Sequence, residues 1–126
     1  MASLEQLFIK TKDFILATFN NRCLSSFYIG KTDNIEQREL EHKKEGYWCT
    51  IEIAYSSSYS TINMAECFLI SKFKKEKDFP VKLENVNDGG GGNPNANKLY
   101  VALKFKPKDI NDLDDDDLNF ESMELN

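Results

Sequence analysis

A tyrosine, an arginine, a histidine and a glutamate are the residues of this chain best suited to chemistry on a phosphate ester. Tyr28 and Gly30 close the run FYIG, Arg38 and His42 follow in KTDNIEQRELEH, and Glu66 lies in TINMAECFLI. Arg38 and His42 stand four apart, so on a helix both project from one face. Gly30 lets the chain turn sharply out of a preceding strand, which brings Tyr28 near that face. Cleaving a phosphodiester needs an attacking water, a charge clamp on the phosphate and a cation at the leaving oxygen. A guanidinium offers phosphate oxygens a planar, bidentate fork. One glutamate suffices to hold Mg²⁺, which keeps most of its waters and takes substrate oxygens as ligands. Tyr28, or His42 through a water, would accept or relay the nucleophile's proton. Each residue also has a plainer role. Tyr28 suits a core or rim aromatic, Arg38 and His42 alternate with glutamates as on any solvated helix, and Glu66 in a first turn favours the helix dipole.

Several elements must position these groups. Residues 4–19 carry apolar side chains at helical spacing with Ser3 as N-cap, although Phe14 to Phe19 equally suits a strand turning at Asn20-Asn21. Cys23 to Gly30 reads as a strand. Thr32-Asp33-Asn34 then caps a helix over Ile35 to Lys44, which Gly46 stops. WCTIEIAY, Trp48 to Tyr55, is the clearest strand, rich in β-branched and aromatic residues. Thr61 caps a helix over Asn63 to Lys74, its apolar side formed by Met64, Phe68, Leu69 and Phe73. Gly89 to Gly92 with Asn93-Pro94 marks a loop, and Leu99 to Phe105 returns to strand character. The expectation is a small α+β domain over residues 1–107, with a mainly antiparallel three-stranded sheet flanked by helices.

The stretch from Phe27 to His42 resembles the second half of the GIY-YIG endonuclease signature. In that family a Tyr-Ile-Gly strand end is followed by an arginine ten positions on, as Tyr28 and Arg38 are, and in many members by a histidine four further, as His42 is. A glutamate on the next helix completes the metal site, and Glu66 stands there. The resemblance covers residues 27–75. It implies a GIY-YIG-like fold and a Mg²⁺- or Mn²⁺-dependent endonuclease acting on DNA, with Tyr28, Arg38, His42 and Glu66 catalytic and Glu66 the metal ligand. The family also carries an asparagine after the metal helix that orders the site. Asn87 and Asn85, in ENVNDGGGG, are the candidates for it, with Asn93 a third, and the spacing leaves the choice open. Gly30 and Lys31 join Asn85 as expected phosphate contacts, Lys31 lying just past the glycine. The first half of the signature is missing: ten or eleven residues before Tyr28, where the family has its first tyrosine, stand Ala17 and Thr18. The alternative is therefore a catalytically impaired module of the same fold that binds nucleic acid or a protein.

Composition bounds the remaining classes. With 126 residues, 40% hydrophobic and 29% charged, the chain suits one globular domain. No run of apolar residues is long enough to span a membrane, and Met1 to Lys10 does not read as a secretory signal. Cys23, Cys49 and Cys67 are odd in number and lack ligand spacing, which favours reduced thiols in an intracellular protein. The net charge of −5 is uneven. Residues 108–126 hold eight acidic groups against Lys108, which leaves fifteen basic and thirteen acidic residues in 1–107. The body is thus mildly basic, compatible with a nucleic-acid partner. The tail from Lys108 is expected to be disordered, a regulatory or docking element at most. These residues leave no room for the added DNA-reading domain that such nucleases carry, so any sequence preference is expected to come from loops, a homodimer mate or a protein partner.

Overall fold

Helix α1, Leu4–Asn21, opens on a capping box. The Ser3 hydroxyl accepts from the Gln6 amide while the Gln6 side chain accepts from the Ser3 amide. Leu7, Phe8, Thr11, Ile15 and Thr18 form its buried stripe. The helix runs through Asn20, so the strand alternative for Phe14 to Phe19 falls. The computed structural model describes residues 2–87, 89, 92–106 and 118–126.

The other elements follow in order: β1 (Leu24–Thr32), α2 (Ile35–Lys44), β2 (Cys49–Tyr55), α3 (Tyr59–Lys74), β3 (Lys82–Leu83), β4 (Lys98–Phe105) and β5 (Met123–Glu124). Asn34 caps α2 by accepting from the Gln37 amide. Helix α3 starts earlier than Thr61 suggests, because Ser58 accepts from the Thr61 amide and acts as the cap. Its buried face is also rotated from the expected one. Ile62, Ala65, Glu66, Leu69, Ile70 and Phe73 point inward, and Met64 is 61% exposed.

Among the described residues the architecture is α+β, with three helices and one mixed sheet of five strands in the order β3-β1-β4-β2-β5. The expected three strands are corrected to five. β3 and β5 are two-residue edge strands held by parallel pairing to β1 and β2, too short to leave a periodic pattern in sequence. The middle of the sheet is antiparallel, β4 pairing β1 on one side and β2 on the other. β4 is covered on both faces, and its Leu99, Tyr100, Val101, Ala102 and Leu103 are all buried.

Alternation sorts the two faces. Phe27, Ile29, Val101 and Leu103 join residues of α1 and α3 in the main core. Tyr28, Tyr100 and Ala102 face the other way, packed with Ile35 and Tyr47 under α2. The expected tail boundary at 108 also needs correction. Residues 118–126 lie on the body: Leu125 is 3% exposed, Phe120 meets Phe14 edge-on, and the Leu125 amide donates to the Tyr55 carbonyl. Apolar residues spaced among the acids supply that contact. Residues 107–117 lie outside the described set.

Candidate functional site

Tyr28 and Gly30 stand two apart on β1, so they share the face that α2 covers. Across the antiparallel ladder Tyr28 opposes Ala102 and Gly30 opposes Tyr100. The Tyr100 ring and hydroxyl lie directly over Gly30, where any Cβ would collide with them. The absence of a side chain at Gly30 leaves this space to the Tyr100 phenol.

Helix α2 delivers its pair as the spacing requires, and His42 is the residue it buries. The imidazole packs among Tyr28, Tyr47 and Tyr100, with ring centroids at 5.1, 5.2 and 5.5 Å. Its Nδ1 lies 3.0 Å from Glu45 Oε1 and its Nε2 lies 2.9 Å from the Tyr100 hydroxyl. Burial among the rings lowers the His42 pKa below the usual 6.5, against an opposing pull from Glu45. Arg38 donates to Glu41 at 2.8 Å, a half-exposed pair within one helix turn that a phosphate can readily replace.

Glu66 comes from the opposite face of the sheet. Its Oε1 accepts from Lys31 Nζ at 2.7 Å, with both side chains more than nine-tenths buried. That ion pair explains how a carboxylate sits on the inward side of α3. The two faces meet around an open edge. β3 pairs only Ser26 and Phe27 of β1, so the later half of the strand is not covered by it. Asn85 clamps that edge, its Oδ1 accepting from the Ile29 amide at 2.8 Å and its Nδ2 donating to the Ile29 carbonyl at 2.7 Å. Gly89, at a φ of +90°, passes so close to Glu66 and Cys67 that a Cβ there would press on the carboxylate.

The result is one cleft of about 620 Å³. Tyr28, Gly30, Lys31, Arg38, His42, Glu66, Asn85 and Asn87 all line it, so every residue singled out in the sequence comes to the same place. Asn85 is bonded to the strand that carries Tyr28, whereas Asn87 is exposed at the rim. Lys31 contacts the expected metal ligand rather than open solvent. Gly90 and Gly91 lie outside the described residues. Sequence reasoning missed Tyr100, Tyr47, Glu45 and Glu84. The phenol in LYVALKF carried no signal beyond strand character, because its role depends on pairing with β1.

Burial raises the pKa of all three phenols. Tyr28 is raised by burial and then by Glu66 and Glu45, with Arg38 and Lys31 opposing. Tyr47 is pushed up to about 12, and Tyr100 is raised further, chiefly by burial and then by Tyr28. At neutral pH these hydroxyls are donors, and none is an effective base without a proton acceptor beside it. Glu41, Glu45, Glu66 and Glu84 outnumber Lys31 and Arg38 around the cleft. The described lining of the cleft thus carries an excess of acidic over basic groups. The Lys31 ammonium marks where positive charge is accepted, at Glu66 Oε1. Among the described residues no three His, Cys, Asp or Glu side chains gather as metal ligands. A hydrated Mg²⁺ needs only one or two carboxylates, so the oxygen-rich wall fits such an ion loosely through Glu66. No family model matches the chain, and no curated protein or solved structure is significantly similar to it. Among the described residues no helix is long and apolar enough to cross a membrane.

Proposed function

We propose that the chain is a metal-dependent phosphodiesterase of the GIY-YIG endonuclease type, acting on DNA. The observation that carries this reading is the meeting of Tyr28, Arg38, His42 and Glu66 in one cleft, although they arrive on a strand and two helices from opposite faces of the sheet. Separately each has an ordinary explanation. Together they supply a phenol, a guanidinium, an imidazole and a buried carboxylate around a volume that admits a phosphate.

In this reading Arg38 leaves Glu41 to take two phosphate oxygens, which holds the phosphorus for attack. Glu66 would hold a Mg²⁺ or Mn²⁺ ion, whose chemistry there is to offset charge on the phosphate and leaving oxygens. Tyr28, protonated at neutral pH, donates a hydrogen bond to the substrate or water. His42, kept neutral by burial, is available to take a proton. Asn85 keeps β1 straight at its open edge so that Tyr28 stays in place.

The test is nicking of supercoiled plasmid with Mg²⁺ or Mn²⁺, set beside Arg38→Ala and Glu66→Gln. Wild-type nicking, lost in both variants, supports the enzyme; a wild-type chain that leaves the plasmid intact removes it. A second reading, a non-catalytic module for nucleic acid or a protein, draws on the Lys31–Glu66 pair, since Glu66 already has its counter-charge. Plasmid binding without nicking, unchanged by Glu66→Gln and by chelator, would favour the module.

A further inference from the structure

We propose that Tyr100 is a catalytic residue of this cleft: the phenol through which the proton of the attacking water reaches His42, with Glu45 as the positioning residue behind the imidazole. The inference rests on the phosphodiesterase reading and assigns to it a residue 58 positions along the chain from His42.

Hydrogen-bond direction carries the argument. An ionised Glu45 carboxylate can only accept, so His42 Nδ1 bears the proton in the 3.0 Å contact. A neutral imidazole then has a bare lone pair at Nε2, and the group 2.9 Å away is the Tyr100 hydroxyl. Tyr100 therefore donates to His42, which donates to Glu45. A nucleophile or base activated in this way, through an imidazole oriented by a carboxylate, is a general solution for a weakly acidic hydroxyl. Burial makes Tyr100 a poor base alone, and the adjoining imidazole is what allows its proton to leave. The placement is also fixed: Tyr100 lines the cleft, is 3% exposed, and lies over the one residue of β1 that leaves room for it. Since β4 is the antiparallel neighbour of β1, the second phenol missing before Tyr28 is supplied from the other side of the chain.

In the step, a water oxygen forms a bond to phosphorus and the bond from phosphorus to the leaving oxygen breaks, the electron pair going with that oxygen. The water's proton passes to the Tyr100 oxygen as the phenolic proton moves to His42 Nε2. The imidazolium, held against Glu45, returns its proton to solvent, and the leaving oxygen takes one from solvent. The balance is phosphodiester plus water giving phosphomonoester plus alcohol.

The chain has a single histidine, so its ring nitrogens can be read by ¹⁵N NMR without ambiguity. The expected state is protonated Nδ1 with bare Nε2. Tyr100→Phe, which keeps the ring over Gly30, should raise the His42 pKa by removing the donor to that lone pair, and Glu45→Gln should lower it. In plasmid nicking, Tyr100→Phe and His42→Gln should each lose on the order of 10²–10⁴ in rate, and the double variant should be no worse than either. Glu45→Gln should lose about tenfold, the worth of one charged hydrogen bond. The groups facing His42 are Arg38, Glu41 and Glu45 on or beside its own helix, Tyr47 beyond it, Tyr28 from β1 and Tyr100 from β4. The acid limb of the wild-type rate should vanish in His42→Gln. A Tyr100→Phe variant that nicks at the wild-type rate, while Arg38→Ala and Glu66→Gln do not, overturns the relay and leaves the nuclease reading standing. A protonated Nε2 overturns the relay whatever the plasmid assay gives.

Discussion

His42 is a base whose surroundings resist its charging. Burial lowers its pKa from 6.5 in the folded chain, while the unfolded chain keeps the ordinary value. Above that value the residue is neutral in both states and contributes no pH dependence. As the pH falls through 6.5 towards the lowered folded value, the unfolded chain takes up a proton that the folded one resists, and stability declines. A thermal melting series from pH 8 to 5 should show a steeper loss for wild type than for His42→Gln. The Lys31–Glu66 pair makes a second residue-scale prediction. Lys31→Met removes the ammonium that neutralises a buried carboxylate, and should cost about 3 kcal/mol in urea unfolding. Adding Glu66→Gln should restore much of it, because the charge that needed compensation is gone. A single variant as stable as wild type would mean that the pair does not hold α3 to β1.

Elements were legible wherever their signals were local. Asn34 and the turn before it set the start of α2, and Ser3 with Gln6 set the start of α1, because a cap and its partner lie within three residues. Arg38 and His42 needed only helical geometry to share a face. The short edge strands were illegible: Lys82–Leu83 has no period to detect and exists because β1 offers it partners. The segment after it matters more than its length suggests. Asn85 takes over the hydrogen bonding of β1 at Ile29 with its side chain alone, and keeps the strand edge from opening into the cleft. Asn85→Ala should cost about 1–2 kcal/mol for two bonds at a partly solvated edge. It should also speed hydrogen exchange at Ile29 while leaving the far edge of the sheet protected, and uniform loss of protection would contradict a local role.

For the whole molecule, the order of strands decides the site. Placing β4 between β1 and β2 puts a strand from near the chain's end at the centre of the sheet, against the strand that bears Tyr28. Residues 118–126 then close the opposite edge through β5, where Leu125 and Phe120 cover apolar surface. Deleting residues 118–126 should lower the melting temperature, and Leu125→Ala alone should cost about 2 kcal/mol, the low end for a buried leucine because it lies near a terminus. A truncated chain that melts as the full one does would show that this segment adds nothing to the fold.

The amino-acid sequence by itself determined the long strands, helix α2, the caps Ser3 and Asn34, and the i,i+4 pairing of Arg38 with His42, all of which depend on neighbours a few positions apart. The start of α3 it misplaced, and the helical state of Phe14 to Phe19 it left open. It also marked Tyr28, Glu66, Lys31 and Asn85 as residues out of the ordinary, without saying how they would meet. Only the tertiary structure decided that Glu66 and Tyr28 meet around an open strand edge. It alone set Tyr100, 58 residues from His42, at the imidazole nitrogen. The reason is physical: hydrogen bonding within a turn constrains residues close in sequence, whereas strand order is settled by the burial of whole faces, which no local pattern records.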